Sequence, residues 1–215
     1  MTKPKKSKRP YNSTRRQAQA RETWRQVIEA ARQLFIEYGY AGATIDAIAQ
    51  EAGVAPETIF ATFGSKRAIL AAVIDAAVGG DDKTTPLLQQ PGPQAVMQQT
   101  EPAQLLQLFA TDITSRLERV APVFAVMRAA AKTEPDIAEL LKNQLAIRLR
   151  NISTVAERLA AQKALREELN VEQAADIIWA ITSPEVFSML TIDRGWPRDH
   201  YIRWLGDALT RLLLT

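Results

Sequence analysis

Few residues of this chain are of a type and spacing that could do chemistry. His200 is the sole histidine and there is no cysteine, so metal sites built on histidine pairs or thiolates, disulfides and cysteine nucleophiles are excluded by count. Asp81-Asp82 fall in a Gly/Pro-rich stretch and Glu167-Glu168 near a helix end, and neither pair has the spaced, buried partner that acid–base work requires. His200 follows Arg198-Asp199 at a helix start and reads as an exposed residue near a cap. No Gly-rich phosphate loop is present. The chain is read as a non-enzyme that needs no cofactor. Its chemistry is charge and hydrogen bonding. Residues 1–35 hold ten Lys/Arg (Lys3, Lys5, Lys6, Lys8, Arg9, Arg15, Arg16, Arg21, Arg25, Arg32) against Glu22 and Glu29, a net of +8, while the remainder carries −5. A basic end on an acidic body suits a polyanion-binding arm, because each cation near a phosphate releases a condensed counterion. A solvated solubility tail has the same composition, and charge alone does not choose between them.

The elements that must position such groups are helical throughout. The 215 residues are 47% apolar, enough for a substantial core in one domain or two. The alternating Val/Ile/Thr runs of half-buried strands are missing. No run reaches the roughly 18 uninterrupted apolar residues of a membrane span, and the N-terminus is too polar for a secretory signal, so a soluble cytoplasmic protein with no membrane partner is expected. Residues 1–20, with Pro4 and Pro10 and no apolar periodicity, read as a flexible basic arm. From Trp24 onward, Val27, Ile28, Ala31, Leu34, Phe35 and Tyr38 recur at three- and four-residue intervals, predicting a helix over about 22–38 that ends at Gly39.

Thr44 is placed to cap a short helix with Ile45, Ile48 and Ala49 inward, Gly53 permits a sharp turn, and Pro56 suits the first turn of a further helix that Ile59 and Phe63 anchor. Gly64 stops that helix and Ser65 caps another over 66–78. Helix, glycine turn and second helix within 44–63 is the helix-turn-helix arrangement, whose second helix can enter a DNA major groove. Its position behind a basic arm and a bracing first helix favours that use. Residues 79–101, with three Pro and three Gly, read as a linker, and helices follow at about 103–119, 122–132, 136–163, 171–192 and 198–214, Pro184 kinking the fourth of these.

The segment TIDAIAQEAGVAPETIFATFGSKRAIL (44–70) resembles the DNA-binding signature of the tetracycline-repressor (TetR/AcrR) family. The resemblance covers about 21–78; beyond residue 100 it rests on helix number and on phrases such as ERVAPVFAVMRAAA and WAITSPEVFSML. It implies an all-α homodimer: an N-terminal three-helix helix-turn-helix DNA-binding domain (21–78) joined to a C-terminal helical ligand-binding and dimerisation domain (102–215). The function implied is a repressor released from its operator when a small-molecule effector binds; an activator, or a helical protein–protein interaction module, are the alternatives. Thr44 would donate to a phosphate, and Lys66 matches the family's backbone-contacting lysine; both position without specifying sequence. Thr58 and Thr62, one turn apart with Ala61 beside them, would offer hydroxyls to base edges and methyls to thymine, and Glu57 could accept from cytosine N4. Ala55, Pro56 and Phe60 complete the expected surface. Three positions depart from the common pattern: Phe60 and Thr62 stand where many relatives carry Tyr and His or Tyr, so a phenolic phosphate contact is lost, and Ala55 replaces a common Ser cap. The recognition segment has no Lys or Arg, which leaves affinity to Lys66, Arg67 and the arm.

The last helix places Tyr201, Trp204, Leu205, Ala208, Leu209 and Leu212 on one broad stripe. With Ile181 of the preceding helix, Tyr201, Trp204, Leu205, Ala208 and Leu212 are candidates for a dimer interface, a four-helix bundle with C2 symmetry that would fit a palindromic double-stranded operator. The same stripe could face its own domain. For an effector pocket the candidates are Phe124, Met127, Arg128, Arg148 and Trp179, which lie on helices that surround the pocket in relatives. Arg148 interrupts the stripe Leu141, Leu145, Ile152, Val155, Leu159. A buried Arg needs an anion or a dipole, and Asp176 is the partner expected for it within the chain.

Overall fold

The computed structural model describes residues 11–80 and 85–215. Its helices are α1 (Tyr11–Gly42), α2 (Ile45–Glu51), α3 (Pro56–Phe63), α4 (Lys66–Gly79), α5 (Pro91–Gln98), α6 (Pro102–Ala130), α7 (Pro135–Ala161), α8 (Val171–Ile181), α9 (Pro184–Ser188) and α10 (Arg198–Leu213), with a 3-10 turn at Leu87–Gln89 and a π-helical turn at Met189–Asp193. Among the described residues the one β-type pairing is a bridge between Leu165 and Leu214. The fold class is all-α. The chain divides into two compact units, Met1–Ile69 and Leu70–Thr215, and the dividing point falls inside α4.

In the first unit, α1 begins at Tyr11, eleven residues before the position that periodicity indicates. Arg15, Arg16, Gln17, Ala18 and Ala20 are good helix formers, and a helix already nucleated on a buried face can extend into solvent without apolar periodicity. Lys5, Lys6, Lys8 and Arg9 lie outside the described residues. The helix does break at Gly39, at φ 70° and ψ 176°, and a further turn then runs to Gly42. Val27, Ile28, Ala31 and Phe35 are buried, and α2 and α3 contribute Ile48, Ala49 and Ile59. Tyr38 is exposed, whereas Tyr40 beyond the kink stacks on Phe35 with ring centroids 5.8 Å apart.

In the second unit, α6 is the central helix, packed against α5, α9 and α10, while α8 lies on α7. Its core joins Leu105, Leu106, Phe109 and Leu117 of α6 to Ile152, Val155 and Leu159 of α7, Ile178 of α8, and Tyr201, Leu205, Leu209 and Leu213 of α10. Where α10 crosses α6 the Gln107 side chain lies over Gly206: a Cβ there would lie 2.2 Å from Gln107 Oε1.

Three sequence-based boundaries are corrected in this unit. Residues 79–101 do not form a structureless linker, because α5 folds there with Pro93 and Val96 buried. Its prolines occupy the first turn, where no amide donor is needed. Pro122 does not divide a helix either, since α6 runs through it. An interior proline costs about 3 kcal/mol, but Leu117, Val120, Ala121, Val123 and Phe124 on both sides are buried and hold the helix together. Pro184, by contrast, ends α8 rather than kinking it. Ser183, forced out of the helical region by the following proline, adopts φ −66° and ψ 148°, and its hydroxyl caps the new helix by accepting from the Val186 amide at 3.2 Å. The stretch Val171–Asp193 is long and apolar enough to cross a membrane by length and composition. Its backbone is interrupted at Thr182–Ser183 and it carries Glu172, Asp176 and Glu185, whereas a lipid-exposed span must satisfy its own backbone groups.

Candidate nucleic-acid interface and the second-unit cleft

The geometry between α2 and α3 starts from its caps. Thr44 is extended (φ −85°, ψ 157°), and its Oγ1 accepts from the Ala47 amide at 3.1 Å. That bond uses an acceptor site and leaves the exposed hydroxyl hydrogen available to a phosphate. At the end of α2 the Ala52 and Val54 amides bond Ile48 O and Ala49 O at 2.9 and 3.0 Å. The reversal is made at Gly53, whose φ of 65° is left-handed and costs a residue with a Cβ about 1 kcal/mol or more. Ala55 then enters α3 without a side-chain cap, and Pro56 takes the first turn.

Helix α3 is fastened by one fully buried side chain, Ile59, together with Phe63, whose ring lies 6.3 Å from that of Trp24. Ala55, Glu57, Phe60, Ala61 and Thr62 are exposed, and Pro56 and Thr58 are half-buried. Thr62 donates its hydroxyl to Thr58 O at 2.7 Å, so toward solvent it presents a methyl and an acceptor oxygen rather than a donor. Phe60 is 52% exposed, a large apolar surface on an otherwise polar face. Lys66 is half-buried, its ammonium donating to Tyr40 O at 2.8 Å and lying 4.4 Å from the centre of the Tyr40 ring. Tyr40 is therefore part of this surface by positioning Lys66. The sequence carried one signal for it, an aromatic immediately after a helix-breaking glycine.

The other candidate cluster lies in the second unit. Phe124 and Met127 are buried in the core and Trp179 is half-buried. Arg128 pairs with Glu185 and lies 5.6 Å from the Phe124 ring centre. Arg148 does not reach Asp176. It donates to Trp179 O at 2.6 Å and Thr182 Oγ1 at 3.0 Å, and its guanidinium lies 5.0 Å from the centre of the Trp179 ring. The reason is the break at Ser183, which leaves Trp179 O at the unpaired C-terminal end of α8, where a cation is favoured. Burial lowers the Arg148 pKa to about 10, with Glu185 opposing the shift and Arg128 adding to it. Burial also pushes the Tyr201 hydroxyl well above the usual phenol value, against the pull of Arg148. The Trp179 indole N–H and the Tyr201 hydroxyl are buried without a hydrogen-bond partner. Beside this cluster is an open cleft of about 300 Å³ lined by Ala121, Ala125, Arg128, Ala129, Lys132, Pro184, Glu185 and Ser188. Of the five sequence-derived pocket residues, Arg128 alone lines it.

The dimer candidates separate by burial. Tyr201 and Leu205 are fully buried in their own unit, with Tyr201 edge-on to Phe187 at 5.1 Å, so they have no surface to offer a second copy. The core they share with α6, α7 and α8 claims them first. Ile181, Trp204 and Ala208 are half-buried, and Leu212 is 42% exposed.

Comparison with known proteins agrees with this geometry. Residues 27–73 match the family described as bacterial regulatory proteins, tetR family. The chain is 40% identical over 60 residues to the A-factor receptor protein of Streptomyces griseus, a match covering 28% of this chain and 22% of that protein's length. The fold is shared with the fatty acid degradation regulator FadR of Bacillus halodurans (TM-score 0.71, 19% identity, 95% of this chain and 96% of that one). It is also shared with NalD, the secondary repressor of the MexAB-OprM multidrug efflux pump in Pseudomonas aeruginosa (TM-score 0.67, 16% identity, 91% and 98%). A third similar structure is FadR of Bacillus subtilis in complex with stearoyl-CoA (TM-score 0.71, 19% identity, 88% and 98%). The likeness to the tetR family of bacterial regulatory proteins is carried by residues 27–73, and the likeness to the solved structures is one of fold.

Proposed function

We propose that the chain is a sequence-specific DNA-binding transcription regulator that acts as a homodimeric repressor and leaves its operator when a small molecule binds the second unit. The observation that carries the reading is α3 itself: Ile59 anchors it while Glu57, Phe60, Ala61 and Thr62 face solvent on a surface whose boundaries Thr44 and Lys66 mark. Glu57, Thr58 and Thr62 read base edges, Ala61 and the Thr methyls meet thymine methyls, and Phe60 packs on sugar or base. Two copies related by C2 symmetry present two α3 helices one DNA turn apart, roughly 34 Å. NalD is named as a repressor and one FadR is bound to stearoyl-CoA; those relatives support repression and a small-molecule effector for this chain.

Selection of bound sequences from random duplex DNA tests the proposal. A two-fold symmetric consensus is the expected outcome, and absence of enrichment refutes it. The basic N-terminal segment adds phosphate contacts in this reading, so removing residues 1–10 makes the dependence of log K on log salt clearly shallower, whereas an unchanged slope removes the segment from the interface.

A further inference from the structure

The cleft beside Arg128 has a charge and surface pattern that its own side chains do not balance. Arg128 and Lys132 face Glu185 as the one carboxylate in its lining. Glu185 already pairs with Arg128, and Arg148 lies near enough for Arg128 to weaken its hold on a proton. Three cations thus share one carboxylate, two of them guanidiniums close enough to repel. The rest of the lining is small, and apolar but for Ser188: Ala121, Ala125 and Ala129, one turn apart along α6, with Pro184. A volume of about 300 Å³ lies at the lower edge of the range of small-molecule sites.

We propose that this cleft binds an anionic amphiphile, a single carboxylate-type head on an apolar tail, with the head between Arg128 and Lys132 and the tail along the alanine row. The inference rests on the effector-controlled reading above and names the chemical class of the effector. An anion there relieves the repulsion between Arg128 and Arg148 and shares Arg128 with Glu185. A cation would meet two like charges, and a neutral tail alone would leave the imbalance in place.

The test is calorimetric titration of the full chain without DNA, using hexanoate, octanoate, 1-octanol and octyltrimethylammonium. Octanoate is expected to bind about fourfold tighter than hexanoate per added methylene, 1-octanol about tenfold weaker than octanoate, and the ammonium compound not at all. Arg128→Gln or Lys132→Gln lowers octanoate affinity about tenfold and leaves 1-octanol unmoved, while Glu185→Gln tightens octanoate. Ala125→Trp fills the cleft from an exposed position that no fold contact needs, and abolishes binding. Equal binding of octanoate and 1-octanol, no binding of either, or an Ala125→Trp chain that still binds octanoate would each overturn the proposal. So would an Ala125→Trp chain whose oligomeric state changes while octanoate affinity stays, since the cleft would then be a face between copies. Operator binding, measured separately, keeps the two readings apart. A chain that binds its operator but no octanoate loses the cleft and keeps DNA reading, and one that binds octanoate without operator release keeps the site and loses its regulatory place.

Discussion

Replacing Arg116 by Met should destabilise the second unit by about 3 kcal/mol. The last carbonyls of α4 have no amide to accept from within the helix, and side chains of α6 and of Gln90, just before α5, supply the donors. Arg116 Nη1 donates to Val78 O at 2.8 Å, Arg119 Nε to Ala77 O at 3.0 Å, and Gln90 Nε2 to Gly79 O at 3.1 Å. Arg116 is in turn held in a bidentate pair with Asp112 at 3.0 and 3.1 Å and bonds Gln90 Oε1 at 3.2 Å. The pair is largely shielded, with side-chain exposures of 11% and 20%, and the Gly92 backbone presses on it so closely that a Cβ there would lie 2.1 Å from Asp112 Oδ1. Met keeps the stem volume and removes the guanidinium. Val78 O then loses its donor and Asp112 its counter-charge. Breaking a buried ion pair from one side costs about 3–5 kcal/mol, and the part of Asp112 still in water places this case at the lower end. Urea denaturation with unchanged m-value measures the loss. Adding Asp112→Asn removes the orphaned carboxylate, so the double variant should be less damaged than the sum of the singles by about 1–2 kcal/mol, and amide exchange at residues 77–80 should quicken in the single variant. A loss under about 1 kcal/mol, or strict additivity, would show that this cluster does not hold the end of α4.

Thr44→Val keeps the shape of the α2 cap but removes its acceptor, and thermal melts should report a loss of about 1 kcal/mol. Lys66→Gln should weaken DNA binding evenly across sequences and reduce the salt slope by about 1, without altering the selected consensus. Two groups make stability depend on alkaline pH in opposite directions. Arg148 is charged up to about 10 when folded and to a higher pH when unfolded, so above about 10 the unfolded chain binds more protons and this group raises stability with pH. Tyr201, raised from 10.0 by burial, keeps its proton when the unfolded chain has lost it, and its contribution falls as pH rises past 10. Denaturation at pH 9 and pH 11 should show Arg148→Met steepening the alkaline loss and Tyr201→Phe flattening it. Leu212→Glu, at a position 42% exposed in the single chain, should leave the monomer's melting nearly unmoved yet dissociate the proposed homodimer in sedimentation, because a dimer would have to bury the charge.

The first unit was legible in the sequence because its signals are local. Thr44, Gly53, Pro56, Gly64 and Ser65 each dictate a cap or a turn within four residues, and all five act in the structure as their types require. Where the outcome depended on distant partners the reading failed. Pro122 and Pro184 are the same residue type in similar helical surroundings, yet one is carried through α6 and the other starts α9. The difference lies in what is adjacent: buried apolar side chains on both sides of Pro122, and Ser183, with a hydroxyl able to cap, before Pro184. Arg148 illustrates the same limit one level up. An unpaired arginine in an apolar stripe was visible, but its partner was a carbonyl created by the break at Ser183. A wrong boundary therefore led to the wrong partner, Asp176.

The stripe on α10 shows why burial cannot be apportioned from one helix alone. Tyr201, Leu205, Leu209 and Leu213 follow one another at four-residue steps and are all fully buried in the chain's own core. Trp204, Ala208 and Leu212 repeat the same step one row to the side, and along it exposure rises, reaching 42% at Leu212. A stripe two rows wide exceeds what α6 and α8 cover, so the central row is taken by the fold and the flanking row is left at the margin. Periodicity reports the combined width and gives no sign of where the division lies. Any pairing of two copies through α10 must therefore use the Trp204–Ala208–Leu212 row and not the Tyr201–Leu205 row, which makes the contact narrower and places more of its affinity on Leu212 and on half-buried Ile181.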